Sequence, residues 1–161
     1  MNEGKRWEDN FRKSMTKRCI RLYDTTNGFA GVKNPCDFLY YLYPYQFMFE
    51  CKSVKGQRLG YSYITKNQWE NLQFFNGVYG VNPMIAVEFR EVNRAFVIPF
   101  SYILRTHAQG KKSVTVLDCE NSQVIQEIPC DYKRTNCTIR LQEFQLILLG
   151  MAEQQAIKFE E

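Results

Sequence analysis

Between residues 34 and 52 the chain reads NPCDFLYYLYPYQFMFECK, an almost wholly aromatic and aliphatic run that carries Asp37, Glu50 and Lys52. Two apolar stretches, 36–43 and 45–52, meet at Pro44, which cannot donate a ladder hydrogen bond, and this predicts an antiparallel hairpin. Alternate strand residues share a face, so Glu50 and Lys52 project to one side and Phe49 and Cys51 to the other. A turn centred between Tyr43 and Pro44 brings Asp37 opposite Glu50. Cross-strand partners hold their Cβ atoms about 4.5–5.5 Å apart, and two like charges that close destabilise a half-buried sheet unless something neutralises them. A divalent cation would do so. Magnesium prefers carboxylate oxygen and keeps several waters, leaving positions for a substrate phosphate. Lys52 beside it would orient or help deprotonate an attacking water, or stabilise charge on the phosphate. The chemistry expected of the hairpin is phosphodiester hydrolysis. The competing reading is a solvated Glu–Lys pair and a turn aspartate after Asn34-Pro35, since an E-x-K tripeptide also occurs at Glu3-Gly4-Lys5.

The elements that must position these groups follow from periodicity. Trp7, Phe11, Ser14 and Met15 recur at helical spacing between Gly4 and about Lys17, with charges on the other faces. CIRLY (19–23) alternates as a short strand, and DTTNGFAGVKNP (24–35) reads as a loop. After the hairpin and the polar SVKGQRLGYS, a helix is bracketed by Thr65, with Gln68 three positions on, and by Gly77. MIAVEFRE and RAFVIPF predict two further strands with a turn near Asn93, and SYILRTHAQG a short helix ending at Gly110. SVTVLD and QVIQEIP, flanking CENS, predict another hairpin. A last helix over about 140–158 places Leu141, Phe144, Leu148 and Met151 at helical spacing, widened by Leu146, Ile147 and Leu149. That stripe is first a core face and second a dimer interface.

With 161 residues, 45% hydrophobic and 24% charged, the chain has the size and core-forming content of a single domain, 1–161. The net charge of +4 leans towards an anionic partner without identifying one. The charged N-terminus does not read as a signal peptide, no run reaches the roughly 18 apolar residues of a membrane span, and no small-molecule cofactor motif is present, so a cytoplasmic protein is expected. Six cysteines (19, 36, 51, 119, 130 and 137) include no C-x-x-C pair, and His107 is the single histidine, so reduced, buried thiols are expected rather than a zinc site.

Asp37, twelve intervening residues, then Glu50-Cys51-Lys52, on a strand pair preceded by a helix, resembles the PD-(D/E)xK nuclease superfamily, with Pro35 displaced from Asp37 by Cys36. From Gly4 to about Phe100 the chain is similar to the RecU-type Holliday junction resolvases, through Gly4, Trp7, Glu8, Phe11 and Ser14 on the opening helix, the Asp37–Glu50 separation and Gln68 on the next helix. The resemblance implies an α/β, restriction-endonuclease-like central mixed sheet flanked by α-helices. It also implies Asp37, Glu50 and Glu8 around magnesium (manganese can substitute), Lys52 serving the attacking water, and Gln68 in the site. It further implies a homodimer in which each subunit nicks one strand of a four-way DNA junction. Two residues have plainer explanations: Gln68 as the reciprocal partner in a capping box, and Glu8 as a carboxylate in the first turns of a helix. The family's long stalk insertion is here only residues 24–35, and Cys36 replaces its usual threonine, which suits a compact phage or mobile-element enzyme.

Phosphate contacts are expected from Lys5 and Arg12 on the first helix, Lys55 and Arg58 after the catalytic strand, and Lys66. Intrahelical charge pairing is the alternative for the helix cluster. Two rival functions remain: a nuclease of the same fold acting on flap, duplex or restriction-type targets, and a non-catalytic DNA-binding or assembly protein.

Overall fold

The computed structural model describes residues 2–23 and 33–160, so most of the loop expected over 24–35 lies outside the described residues. Helix α1 (Glu3–Met15) begins where the Asn2 side chain accepts the Gly4 N–H at 2.8 Å, and buries Trp7, Phe11 and Met15. A short strand β1 (Cys19–Arg21) follows, then the hairpin of β2 (Phe38–Leu42) and β3 (Tyr45–Val54). Its register pairs Phe38 with Phe49 and Leu42 with Tyr45, as the expected turn requires.

Beyond β3, the segment expected to be a polar loop contains strand β4 (Arg58–Gly60). Helix α2 (Lys66–Asn76) starts at a full Thr65–Gln68 capping box and crosses over to β5 (Val81–Phe89), which pairs parallel with β3. Strand β6 (Arg94–Pro99) returns antiparallel through a turn in which Asn93 is left-handed, and runs into α3 (Phe100–Ala108). The central sheet has the order β1-β2-β3-β5-β6-β8, with β8 (Gln126–Glu127) at the edge.

The hairpin expected over 113–129 does not form. Ser113–Thr115 is strand β7, paired antiparallel with β4, and Val116–Asn121 is helix α4. Thr115 and Asp118 make a reciprocal capping box, and Val116 and Cys119 bury one helical face. The cap satisfies orphan amides that a hairpin would have left to the ladder. Two short strands that periodicity had not indicated, β9 (Cys130–Tyr132) and β10 (Cys137–Ile139), pair before α5 (Leu141–Glu160).

Apolar side chains pack on both faces of the sheet. On one, Trp7, Phe11 and Met15 of α1 meet Phe38, Phe47, Phe49 and Ala86 of the strands and Phe144, Leu148 and Met151 of α5. On the other, Leu72 of α2 and Phe100 and Ile103 of α3 cover Met48, Ile85, Val87 and Ile98. The architecture is the expected α/β one, a central mixed sheet flanked by helices. The α5 stripe is core at Phe144, Leu148 and Met151, while Leu146 is exposed. No described helix is long and apolar enough to cross a membrane, and all six thiols are free, five of them buried.

Candidate active site

The point where β2 begins decides the site. The Asp37 N–H donates to the Phe49 carbonyl at 3.0 Å, one step before the first residue of β2. Its Oδ2 then accepts the Cys51 N–H at 2.8 Å, so a side chain takes a position that the next ladder residue would otherwise fill. Strand β3 pairs with β5 from Gln46 to Val54 but with β2 only as far as Phe49, and the catalytic candidates gather where the β2 pairing stops.

Glu50 is 3% exposed and shares a strand face with Lys52. Lys52 Nζ donates to Glu50 Oε1 at 3.0 Å and to Gln68 Oε1 at 3.1 Å, and Gln68 Nε2 donates to the same Glu50 oxygen. Gln68 Oε1 also accepts the Thr65 N–H at 2.9 Å. The amide therefore caps α2, as the plainer explanation expects, and bridges Glu50 and Lys52 at the same time. Glu8 approaches from α1 and is ion-paired to Arg21 of β1 at 2.5 Å, with Asp9 3.8 Å from the same guanidinium. Arg21 was not singled out from the sequence; as one polar residue of an alternating strand it carries no signal of its own.

The electrostatics are those of crowded anions. Glu50 is raised from 4.5 to about 7, first by burial and then by Asp37, against the lowering effect of Lys52. Glu8 is also raised, by burial first and then Asp37, with Arg21 opposing. The buried Cys36 thiol is pushed up to about 12 by desolvation and the neighbouring Glu50 and Asp37 charges, which makes it a neutral filler where the resembled family has threonine. Four carboxylates, Glu8, Asp9, Asp37 and Glu50, share two cations, Arg21 and Lys52, which leaves the cluster short of positive charge.

Oxygen donors with unneutralised charge fit a hard divalent cation. Among the described residues, no three His, Cys, Asp or Glu side chains form a ready metal cluster. The expected set of Asp37, Glu50 and Glu8 is thus not gathered as a three-carboxylate site; a divalent ion that keeps its waters would need only one or two of these carboxylates.

The expected phosphate-binding residues divide by their partners. Arg12 lies 3.7 Å from Asp9, and Lys66 3.7 Å from Glu70, both within their own helices. Lys5, Lys55 and Arg58 are exposed and take part in no ion pair among the described residues. The intrahelical pairing weighed for the first helix thus accounts for Arg12 and, with Glu3 2.7 Å away, for Arg6.

No protein-family model matches the sequence, and a search of curated proteins finds no relative. Among solved structures the chain is similar to Hjc, a Holliday junction resolvase from the archaeal hyperthermophile Archaeoglobus fulgidus, with a TM-score of 0.50 and 20% identity over 71% of this chain and 90% of that one. The two share a restriction-endonuclease-like fold.

Proposed function

We propose that the chain is a single-domain, magnesium-dependent endonuclease that resolves four-way DNA junctions by paired nicks, acting as a homodimer. The observation that carries this reading is the cluster at the β2–β3 junction: Asp37 and Glu50 brought together by register, with Lys52 and Gln68 bonded to one Glu50 oxygen. The likeness in fold to a resolvase supports the choice of branched DNA over other targets.

Magnesium held by Asp37 and Glu50, with Glu8 at its side, would polarise the scissile phosphate and lower the pKa of a bound water, and manganese could replace it. Lys52, tethered by two hydrogen bonds, keeps a third ammonium proton for the attacking water or a phosphate oxygen. Gln68 holds both Glu50 and Lys52 from the first turn of α2, so their spacing is set before substrate arrives. Lys55 and Arg58, next along the chain, supply phosphate contacts.

Synthetic four-way, flap and linear duplex DNA, each with and without magnesium, separate the readings. Symmetric nicks confined to the four-way substrate are expected. Cuts elsewhere indicate a same-fold nuclease with another target, and binding without cutting indicates a non-catalytic DNA-binding protein. Asp37→Asn and Glu50→Gln should each lower cutting by more than about 100-fold, a loss that even a residue supporting a metal ligand can cause, while junction binding persists. Cutting retained in either variant would remove the assignment.

A further inference from the structure

One side of α2 supplies Gln68 to the carboxylate cluster; the next residue, Trp69, forms the back of a separate recess. Tyr61, Ser62, Trp69, His107 and Lys112 line it, around a volume of about 450 Å³, inside the roughly 300–1,000 Å³ range of small-ligand sites. The rings are fixed in place. Trp69 is wedged edge-on against His107 at 4.8 Å and Phe100 at 5.3 Å, and Tyr61 stands 6.4 Å from it. The Tyr61 hydroxyl shares a 2.6 Å hydrogen bond with Thr106, itself anchored to the Tyr102 carbonyl at 2.9 Å.

The rim is cationic. Lys112 is exposed and enters no ion pair among the described residues, whereas its neighbour Lys111 is held by Asp118 at 3.0 Å. The β4–β7 pairing, extended by the Tyr61 N–H donating to the Lys112 carbonyl, sets Lys112 just before β7 at one end of the small sheet, with Arg58, another cation outside any described pair, at its other end. Aromatic rings beside cations that enter no ion pair among the described residues suit a flat, π-faced base on a phosphate backbone. Such stacking accepts any base, because every base has a π-face.

We infer that the Tyr61–Trp69–His107 recess takes one unstacked nucleobase of the bound DNA strand, with Lys112 and Arg58 on the flanking phosphates. This rests on the nuclease reading for the identity of the DNA but not for the existence of the recess. A base pair beside a branch point costs less to open than one inside a continuous duplex, so the recess gives the chain a means of favouring branched over continuous DNA. Its preformed rings reduce the ordering cost of that contact.

The two tryptophans make it measurable, because Trp7 is fully buried and Trp69 is not. A short single-stranded oligodeoxynucleotide is titrated into the Asp37→Asn protein without divalent ions, beside the same strand made of abasic residues. Base-dependent quenching of tryptophan fluorescence is expected, lost in Trp69→Phe, together with about tenfold weaker binding of the base-bearing strand in His107→Ala and in Lys112→Ala, a factor equal to ~1.4 kcal/mol. Equal quenching by both strands, or wild-type binding in both substituted proteins, overturns the inference. Circular dichroism of each variant excludes misfolding as the cause. A protein that cuts four-way DNA while its fluorescence ignores bases loses the recess alone. One that shows base-dependent quenching and never cuts loses the nuclease reading alone.

Discussion

In the proposed nuclease, Glu50 is the residue on which folding and chemistry pull in opposite directions. Its carboxyl ionises only near pH 7 in the folded protein, so the folded state favours the protonated form more than the unfolded chain does. A raised carboxyl of this kind contributes stability that is fully present below the ordinary value of 4.5 and is lost as pH rises through about 7. At about 1.4 kcal/mol per tenfold in proton affinity, the loss is on the order of 3 kcal/mol. Glu50→Gln should therefore be more stable than the native protein at pH about 8 and close to it at pH about 4.5, read by urea denaturation without divalent ions. Parallel stability profiles for the two proteins would show that the carboxyl titrates normally. Gln68 admits a second test, because it has two jobs that different partners serve. Thr65→Ala removes only the cap and should cost about 1 kcal/mol of stability with cutting retained. Gln68→Ala should reduce cutting as well, since Lys52 and Glu50 lose their shared amide. Equal cutting in both variants would make Gln68 a cap and nothing more.

Two helices and a strand boundary hold the site together. The α1 helix carries Glu8, and its position depends on Phe11, fully buried with ring centroids 5.0 Å from Phe49, 5.4 Å from Phe38 and 6.4 Å from Phe144. Phe11→Ala should destabilise the protein by about 3–5 kcal/mol, measured as a shift in the urea midpoint. A cost below about 1 kcal/mol would mean that α1 is not pinned through this ring. Trp7 adds a directional constraint, its Nε1–H donating to the Ala86 carbonyl at 2.9 Å. On the far face α2 is anchored by Leu72 and by the Trp69 contacts, so the Gln68 amide arrives from a rigid element. A second buried acid, Glu88 of β5, is partnered by Ser53 at 2.8 Å and stands 3.9 Å from Arg6, and so serves α1–sheet packing rather than the carboxylate cluster.

At the scale of the molecule, a net charge of +4 is small, and its distribution matters more than its sum. Lys55, Arg58 and Lys112 stand outside the ion pairs of the described residues, while Arg94, Arg140, Arg12 and Lys66 are each paired to carboxylates. Binding to four-way DNA should weaken steeply as salt rises, because phosphate contacts release counterions. Lys55→Ala and Arg58→Ala should each lower the slope of log K against log salt by about 1, measured by fluorescence anisotropy. Arg12→Ala, which removes a cation already engaged within its helix, should leave the slope nearly unchanged. An unaltered slope in the first two variants would move the DNA path to another face.

Local signals determined a great deal. Pro44 between two apolar runs marked the hairpin, whose register ends at Phe38 and Phe49, and the Asp37 hydrogen bonds to Phe49 and Cys51 then hold it beside Glu50. Helical spacing of Trp7, Phe11 and Met15 set α1, and Thr65 with Gln68 and Gly77 set the limits of α2. The local pattern misled where a strand-like run was short. Ser113–Asn121 became a strand and a capped helix, because strand pairing with β4 and the Thr115–Asp118 cap acted across positions that period-two alternation cannot register. Contacts between groups distant in sequence were decided only in three dimensions. Arg21 meets Glu8, Gln68 bridges Glu50 and Lys52 while still capping its helix, and His107 closes on Trp69, because the packing of helices on both faces of one sheet brings them within reach. A sequence states the type and phase of each side chain along its own element; the distance between side chains on different elements belongs to the packed whole.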